Sequence, residues 1–123
     1  MTDRRMDEIV RNQRPVMLPG EATVRDACAR MHDHKIGAIL VTDAAGGLAG
    51  IFTGRDLVRI IAAGEAAETT ALGAVMTREP LTMAPGRTAI EALRLMQDAG
   101  FRHIPVVDGQ MMGSPHDLFN IVR

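Results

Sequence analysis

Thr23-Val-Arg-Asp-Ala-Cys-Ala-Arg-Met-His-Asp-His-Lys-Ile-Gly-Ala-Ile-Leu-Val-Thr-Asp43 is answered, at a constant offset, by Thr88-Ala-Ile-Glu-Ala-Leu-Arg-Leu-Met-Gln-Asp-Ala-Gly-Phe-Arg-His-Ile-Pro-Val-Val-Asp108. Identities fall at Thr23/Thr88, Ala27/Ala92, Met31/Met96, Asp33/Asp98, Ile39/Ile104, Val41/Val106 and Asp43/Asp108, and upstream at Pro15/Pro80. After a change of length the match resumes, with Thr53-Gly-Arg-Asp-Leu57 against Ser114-Pro-His-Asp-Leu118. A supersecondary unit of this size has an apolar face it cannot bury alone, so a tandem copy predicts two pseudo-twofold-related halves that bury it together. A site on their seam would then occur twice.

Within each copy the pattern names the elements. Thr23-Val-Arg-Asp26 and Thr88-Ala-Ile-Glu91 place a hydroxyl three residues before a carboxylate, the signature of a helix start. Val24, Ala27, Cys28 and Met31, and in the second copy Ala89, Ala92, Leu93 and Met96, are expected on the buried faces of these helices. Ile36 to Thr42 is a nearly continuous apolar run, as in a strand covered on both sides, and Phe101 to Val107 repeats it. Leu48 to Thr53 reads as a second strand, and Asp56 to Ala63 as a second helix with Leu57, Ile60 and Ile61 inward. In the second copy Asp108-Gly109 is a hairpin turn and Gly113-Ser114 stands where the first has Gly50-Ile-Phe-Thr53, which predicts a shortened second hairpin strand. Short extended segments, Val16 to Leu18 and Pro80 to Met83, lead into the copies. The division expected is an N-terminal helical extension over 1–14 carrying Met6, Ile9 and Val10, a first repeat over 15–64, a linker and lead-in over 65–79, and a second repeat over 80–123.

Composition bounds the partners. A length of 123 residues with 46% hydrophobic residues suits one module whose halves share a core. The net charge of −1 gives no bulk attraction to nucleic acid or anionic membrane, and three phenylalanines are few for a base-stacking surface. Nine methionines are expected to fill the core. A single cysteine, Cys28, and a charged N-terminus without a signal-like apolar stretch predict a cytoplasmic protein, and no apolar run reaches the ~18 residues of a membrane helix.

The order strand, helix, strand, strand, helix, written twice with a hydroxyl-x-x-Asp after each second hairpin, resembles a cystathionine-beta-synthase (CBS) domain pair over roughly Pro15 to Arg123. Gly50-Ile-Phe-Thr-Gly-Arg-Asp-Leu57 and Phe101-Arg-His-Ile-Pro-Val-Val-Asp108 carry the match at the places a tandem repeat requires. The resemblance implies an α/β (α+β) module of two CBS repeats, each a small sheet with helices packed on it. It also implies a regulatory, non-enzymatic role: binding an adenosine nucleotide (AMP, ADP or ATP, or else NAD or S-adenosylmethionine) in clefts between the repeats and signalling to an effector protein, as a homodimer.

Carried over residue by residue, the resemblance sets Thr53 and Arg55 against phosphate and Asp56 against the ribose hydroxyls, with Thr77, Pro80, Thr82, Phe101, Arg102 and His103 completing that cleft. A second cleft would draw on Pro15, Met17, Ile36, Gly37, Ala38, Ser114, His116 and Asp117. The chemistry is consistent: a strand-to-helix turn directs N–H groups and the positive end of a helix dipole at an anion, and a carboxylate offers two acceptors to a vicinal diol. Arg102 and His103 add cationic or potentially cationic groups to an apolar run, where they need water or an anion. Asp56→Ala is expected to remove ribose-dependent affinity and leave the fold intact.

The same residues have plainer readings. Thr-x-x-Asp is a capping box in its own right, and Phe101, Ile36 and Met17 suit core packing. His32-Asp33-His34 places two imidazoles two apart, off a common helical face, so no metal site is expected. Two rival functions stay open: a ligand-free dimerisation or assembly module, and nucleic-acid binding through arginines, thirteen against one lysine, clustered in space.

Overall fold

The computed structural model describes residues 5, 16–78, 80, 82–84, 86–99, 103–107 and 115–120. The expected N-terminal helix lies outside them, Arg5 apart, as do Pro15, Phe101, Arg102, Ser114 and the Asp108-Gly109 turn. The chain divides into two compact units, one of Val16–Glu79 and one of Met1–Pro15 with Pro80–Arg123.

In the unit of Val16–Glu79 a four-stranded sheet runs β1 (Met17–Pro19), β2 (Ala38–Thr42), β3 (Leu48–Thr53), β4 (Thr77–Arg78) in that spatial order. The β1–β2 pair is parallel and the others antiparallel. Between β1 and β2 lies helix α1 (Val24–His34), opened by the Thr23/Asp26 capping box. It closes at Lys35, which takes the left-handed conformation at φ 55° while its N–H donates to the His32 carbonyl. Asp43 turns β2 into β3 by accepting from the N–H groups of Ala45 and Gly47. Ile39, Val41 and Phe52 pack with Leu18, Val24, Ala27 and Ile60 into one apolar cluster. Ala38, Leu40 and Ile51, on the other side of the strands, are buried as well. A two-sided strand therefore reads as an unbroken apolar run, because alternation appears only where one face meets water. Cys28 lies at the edge of the cluster, and burial pushes its thiol upward.

Helix α2 (Gly54–Ala62) follows β3 without a loop. Its roll differs from the sequence expectation: Ile60 is buried, Leu57 packs at the margin, and Ile61 is 57% exposed while Asp56 turns inward. At 100° per residue Ile61 lies about 120° from the line through Asp56 and Ile60, so a helix that buries Asp56 cannot also bury Ile61.

The stretch expected as linker and lead-in folds with this first unit. Thr23 bridges to Ala71, helix α3 (Leu72–Val75) buries Leu72 and Val75 in the same cluster, and β4 pairs with β3 through Gly50–Arg78 and Ile51–Thr77.

The other unit repeats the plan. Helix α4 (Ala89–Ala99) starts at a second capping box, Thr88/Glu91, and a hairpin pairs β5 (His103–Val107) with β6 (Pro115–Asn120). Met83 bridges in parallel to Val106 as Leu18 does to Val41, and Arg5 bridges to Thr88 as Ala71 does to Thr23. Met83, Ala92, Met96, Ile104 and Val106 form the core with Leu95 at its margin, whereas Leu93, expected inward, is 43% exposed.

The largest departure concerns β6. Ser114-Pro-His-Asp117 was expected to open a helix after a shortened strand, as Thr53-Gly-Arg-Asp56 does. Instead Pro115–Asn120 is itself a strand of six residues, as long as β3. Its pairs, Val106–Asp117, Ile104–Phe119 and His103–Asn120, reproduce Val41–Gly50, Ile39–Phe52 and Ala38–Thr53, and a register shift recurs at the same step. Asp117 thus takes the place of Gly50, and Asn120 that of Thr53. The likeness of Ser-x-x-Asp to Thr-x-x-Asp misled because a hydrogen-bonded ladder with one apolar face specifies register more strongly than a four-residue motif.

Candidate functional site

Asp56 stands at the third position of α2, and its residue is 5% exposed, the one buried charged residue among those described. The local cause is the capping box. Thr53 ends β3 in extended conformation, its Oγ1 accepts from the Asp56 N–H at 3.4 Å, and its own N–H donates to Asp56 Oδ2 at 3.0 Å. What separates this box from those at Thr23 and Thr88 is reach. The Thr77 hydroxyl, from β4, donates to Asp56 Oδ1 at 3.2 Å, and Arg59 Nη2 donates to the same oxygen at 3.1 Å. The Thr53 hydroxyl donates to Oδ2 at 3.3 Å.

An ionised carboxylate offers about four lone-pair directions. Here each oxygen meets one N–H and one hydroxyl: Thr53 N–H and Thr53 O–H on Oδ2, Arg59 N–H and Thr77 O–H on Oδ1. Such pairing is what allows a charge to sit out of water. The two O–H bonds are long for a hydroxyl on a carboxylate, ordinarily about 2.5–2.7 Å, and hydroxyls are rotors; they are the exchangeable donors of the set.

Of the residues expected around this site, the structure brings Thr53, Asp56 and Thr77 together and places Arg55, exposed, in the first turn of α2. Two first-turn N–H groups of the expected anion cradle are engaged, Gly54 with the Gly37 carbonyl at 3.3 Å and Asp56 with Thr53 Oγ1. Pro80, Thr82 and His103 belong to the other unit; Phe101 and Arg102 fall outside the described residues. Of the second expected set, Met17 is 42% exposed on β1, Ile36 packs against the first unit's core, and Gly37 and the buried Ala38 adjoin Thr53. His116 and Asp117 lie in β6 and do not begin a helix.

Arg59 was missed. Its Nη2 also donates to the Val75 carbonyl at 2.8 Å, joining Asp56 to the last residue of α3. A signal was present in the spacing, since Asp56 and Arg59 stand three apart on a helix and face one another. The Val75 and Thr77 links run between distant segments, which no local pattern announces.

His32 and His34 are exposed at the end of α1, and no group of three potential metal ligands occurs among the described residues. Nor is any helix among them long and apolar enough to cross a membrane.

A family model described as the CBS domain matches residues 7–63 and 72–114. A CBS domain-containing protein of Arabidopsis thaliana, CBSCBSPB2, is 45% identical over 87 residues, 70% of this chain but 16% of that protein, so the chain spans about a sixth of that relative's length. Among solved structures, a CBS-domain-containing protein from Agrobacterium tumefaciens superposes with a TM-score of 0.83 at 29% identity, covering 95% of this chain and 92% of the other. Two more distant structures share the fold. One, from Pyrobaculum aerophilum, is complexed with AMP (TM-score 0.85, 20% identity, 94% and 86% covered). The other is a CBS domain pair in complex with 5′-methylthioadenosine and S-adenosyl-L-methionine (TM-score 0.85, 18% identity, 97% and 90% covered).

Proposed function

This chain belongs to the CBS domain family, and from that premise we propose that it is a regulatory module that binds an adenosine nucleotide through the ribose, with Asp56 as the ribose acceptor. The observation that carries the reading is the arrangement of donors on that carboxylate. Each oxygen holds one exchangeable hydroxyl, Thr53 on one and Thr77 on the other, so a vicinal diol can replace both with its own two hydroxyls. AMP, 5′-methylthioadenosine and S-adenosylmethionine share one group that suits this exchange, the adenosine ribose with its 2′ and 3′ hydroxyls. That two structures of the same fold are complexes with these molecules supports the choice. Arg55, in the first turn of α2, is assigned to the phosphate or other substituent at the 5′ position.

Regulation then follows from linkage. A ligand biases a partner only by binding one state of the module better than another. Val58 and Ile61 expose apolar surface on α2, 69% and 57% accessible, and we assign this surface to association, with a second copy as the first candidate and an effector protein as the second. A second reading, a ligand-free assembly module, is favoured by one fact: the chain itself supplies both Asp56 oxygens with donors.

Thermal melting separates the two. Among AMP, ADP, ATP, NAD and S-adenosylmethionine at millimolar concentration, a true ligand raises the midpoint because it binds the native state alone. A midpoint that none of the five moves would leave the assembly reading in possession.

A further inference from the structure

The Asp56 carboxylate carries two kinds of donor. Hydroxyls, one on each oxygen, can turn away; N–H groups, again one on each oxygen, are held. The Thr53 N–H is backbone at the junction of β3 and α2 and cannot leave without unwinding the helix start. The Arg59 N–H would be free to leave as a long exposed side chain, 56% accessible, except that Nη2 is shared with the Val75 carbonyl. That carbonyl ends α3, where helix carbonyls lack intrahelical partners and carry partial negative charge, so a guanidinium is well placed there. Arg59 is therefore pinned from two segments, and through it so is Oδ1.

We propose that Arg59 is the positioning residue of the Asp56 site: bridging Oδ1 and the Val75 carbonyl, it fixes the carboxylate plane so that both oxygens present an acceptor to the ribose diol. The proposal rests on the reading of Asp56 as the ribose acceptor. The side-chain torsion that turns a carboxylate about its own axis is broad and weakly restrained, so one fixed N–H on Oδ2 does not hold the plane and a second on Oδ1 does. Arg59 itself need not touch the ligand. Its removal is thus expected to weaken recognition of the diol and to leave the rest of the nucleotide's contacts alone.

The test is calorimetric titration of the full chain with AMP and with 2′,3′-dideoxyadenosine 5′-monophosphate, for the wild type, Arg59→Met and Arg59→Lys. The wild type is expected to prefer AMP by about tenfold or more, because only AMP offers the charged carboxylate two hydroxyls in exchange for those of Thr53 and Thr77. Arg59→Met should lower that preference by about fivefold or more, through weaker AMP binding alone, with dideoxy binding unchanged as the sign of an intact fold; Arg59→Lys, which keeps the charge and loses the planar fork, should recover part of it. An Arg59→Met protein with the wild-type preference overturns the role of Arg59 and leaves Asp56 as acceptor. A wild type indifferent to the missing hydroxyls overturns the ribose reading and this proposal with it. Should Arg59→Met not fold, Arg59→Gln is read by the same two outcomes.

Discussion

Thr77 Oγ1 lies 3.2 Å from Asp56 Oδ1, across 21 positions of sequence, and this bond fastens the short strand β4 to the start of α2. The carboxylate at the candidate site is therefore also a structural tie.

Asp56→Ala is accordingly expected to lower stability as well as ribose-dependent affinity, with the fold retained. It removes the acceptor of the Thr53 N–H, of Arg59 and of Thr77, a loss of about 1–3 kcal/mol, as for partly buried hydrogen bonds to a charged group. Urea denaturation measures it. A variant as stable as the wild type would mean that water replaces the carboxylate, and that the tie is weaker than its geometry implies.

Gly50 permits β4 to lie where it does. A Cβ there would stand 2.6 Å from the Thr77 carbonyl oxygen and 2.6 Å from Met76 Sδ, and the oxygen belongs to backbone that cannot step aside without breaking the ladder. Gly50→Ala should destabilise by about 1–3 kcal/mol and speed hydrogen exchange at Thr77 and Arg78. Unchanged exchange at those amides would show the sheet yielding elsewhere.

Lys35 closes α1 at φ 55° and ψ 48°, a conformation that costs a residue with a Cβ about 1–2 kcal/mol. Lys35→Gly relieves that strain and makes the unfolded chain more flexible, so the net gain should be about 1 kcal/mol, seen as a melting point higher by a few degrees. A lower melting point would place the larger effect in the unfolded state.

Glu91 is held at a pKa of about 2, first by the Arg87 side chain and then by the Thr88 N–H. Its value in the folded chain lies below the ordinary 4.5, so its contribution is complete above about pH 4.5 and is lost as the pH falls through about 2. Acid should therefore loosen the start of α4, with faster exchange at the amides of the first turn. In Arg87→Ala that loosening should begin at higher pH; an unshifted profile would remove Arg87 from the account.

The roll of α2 can be checked by contrast. Ile60→Ala should cost about 2–5 kcal/mol, as for a fully buried isoleucine, whereas Ile61→Ala should change stability by less than about 0.5 kcal/mol. Comparable losses at both positions would mean that the helix faces the core as its apolar residues alone suggest.

The tandem repeat, the three capping boxes, the order of elements through α2 and the position of Asp56 at a helix start were all legible in the amino-acid sequence. Each depends on residues within about one turn or one strand of each other, where spacing dictates geometry. What the tertiary structure decided was less local. Leu93 and Leu95 lie about 80° to either side of the line through Ala92 and Met96, so helical periodicity alone cannot choose between them, and packing against the second unit's core cluster chose Leu95. Burial of Asp56 turned Ile61 outward, cross-strand register carried Asp117 to the place of Gly50, and folding of 71–78 back onto β3 delivered Thr77 and the Val75 carbonyl to Asp56 and Arg59. These are choices among locally equivalent arrangements, and contacts between segments distant in sequence supply the free-energy difference that settles them.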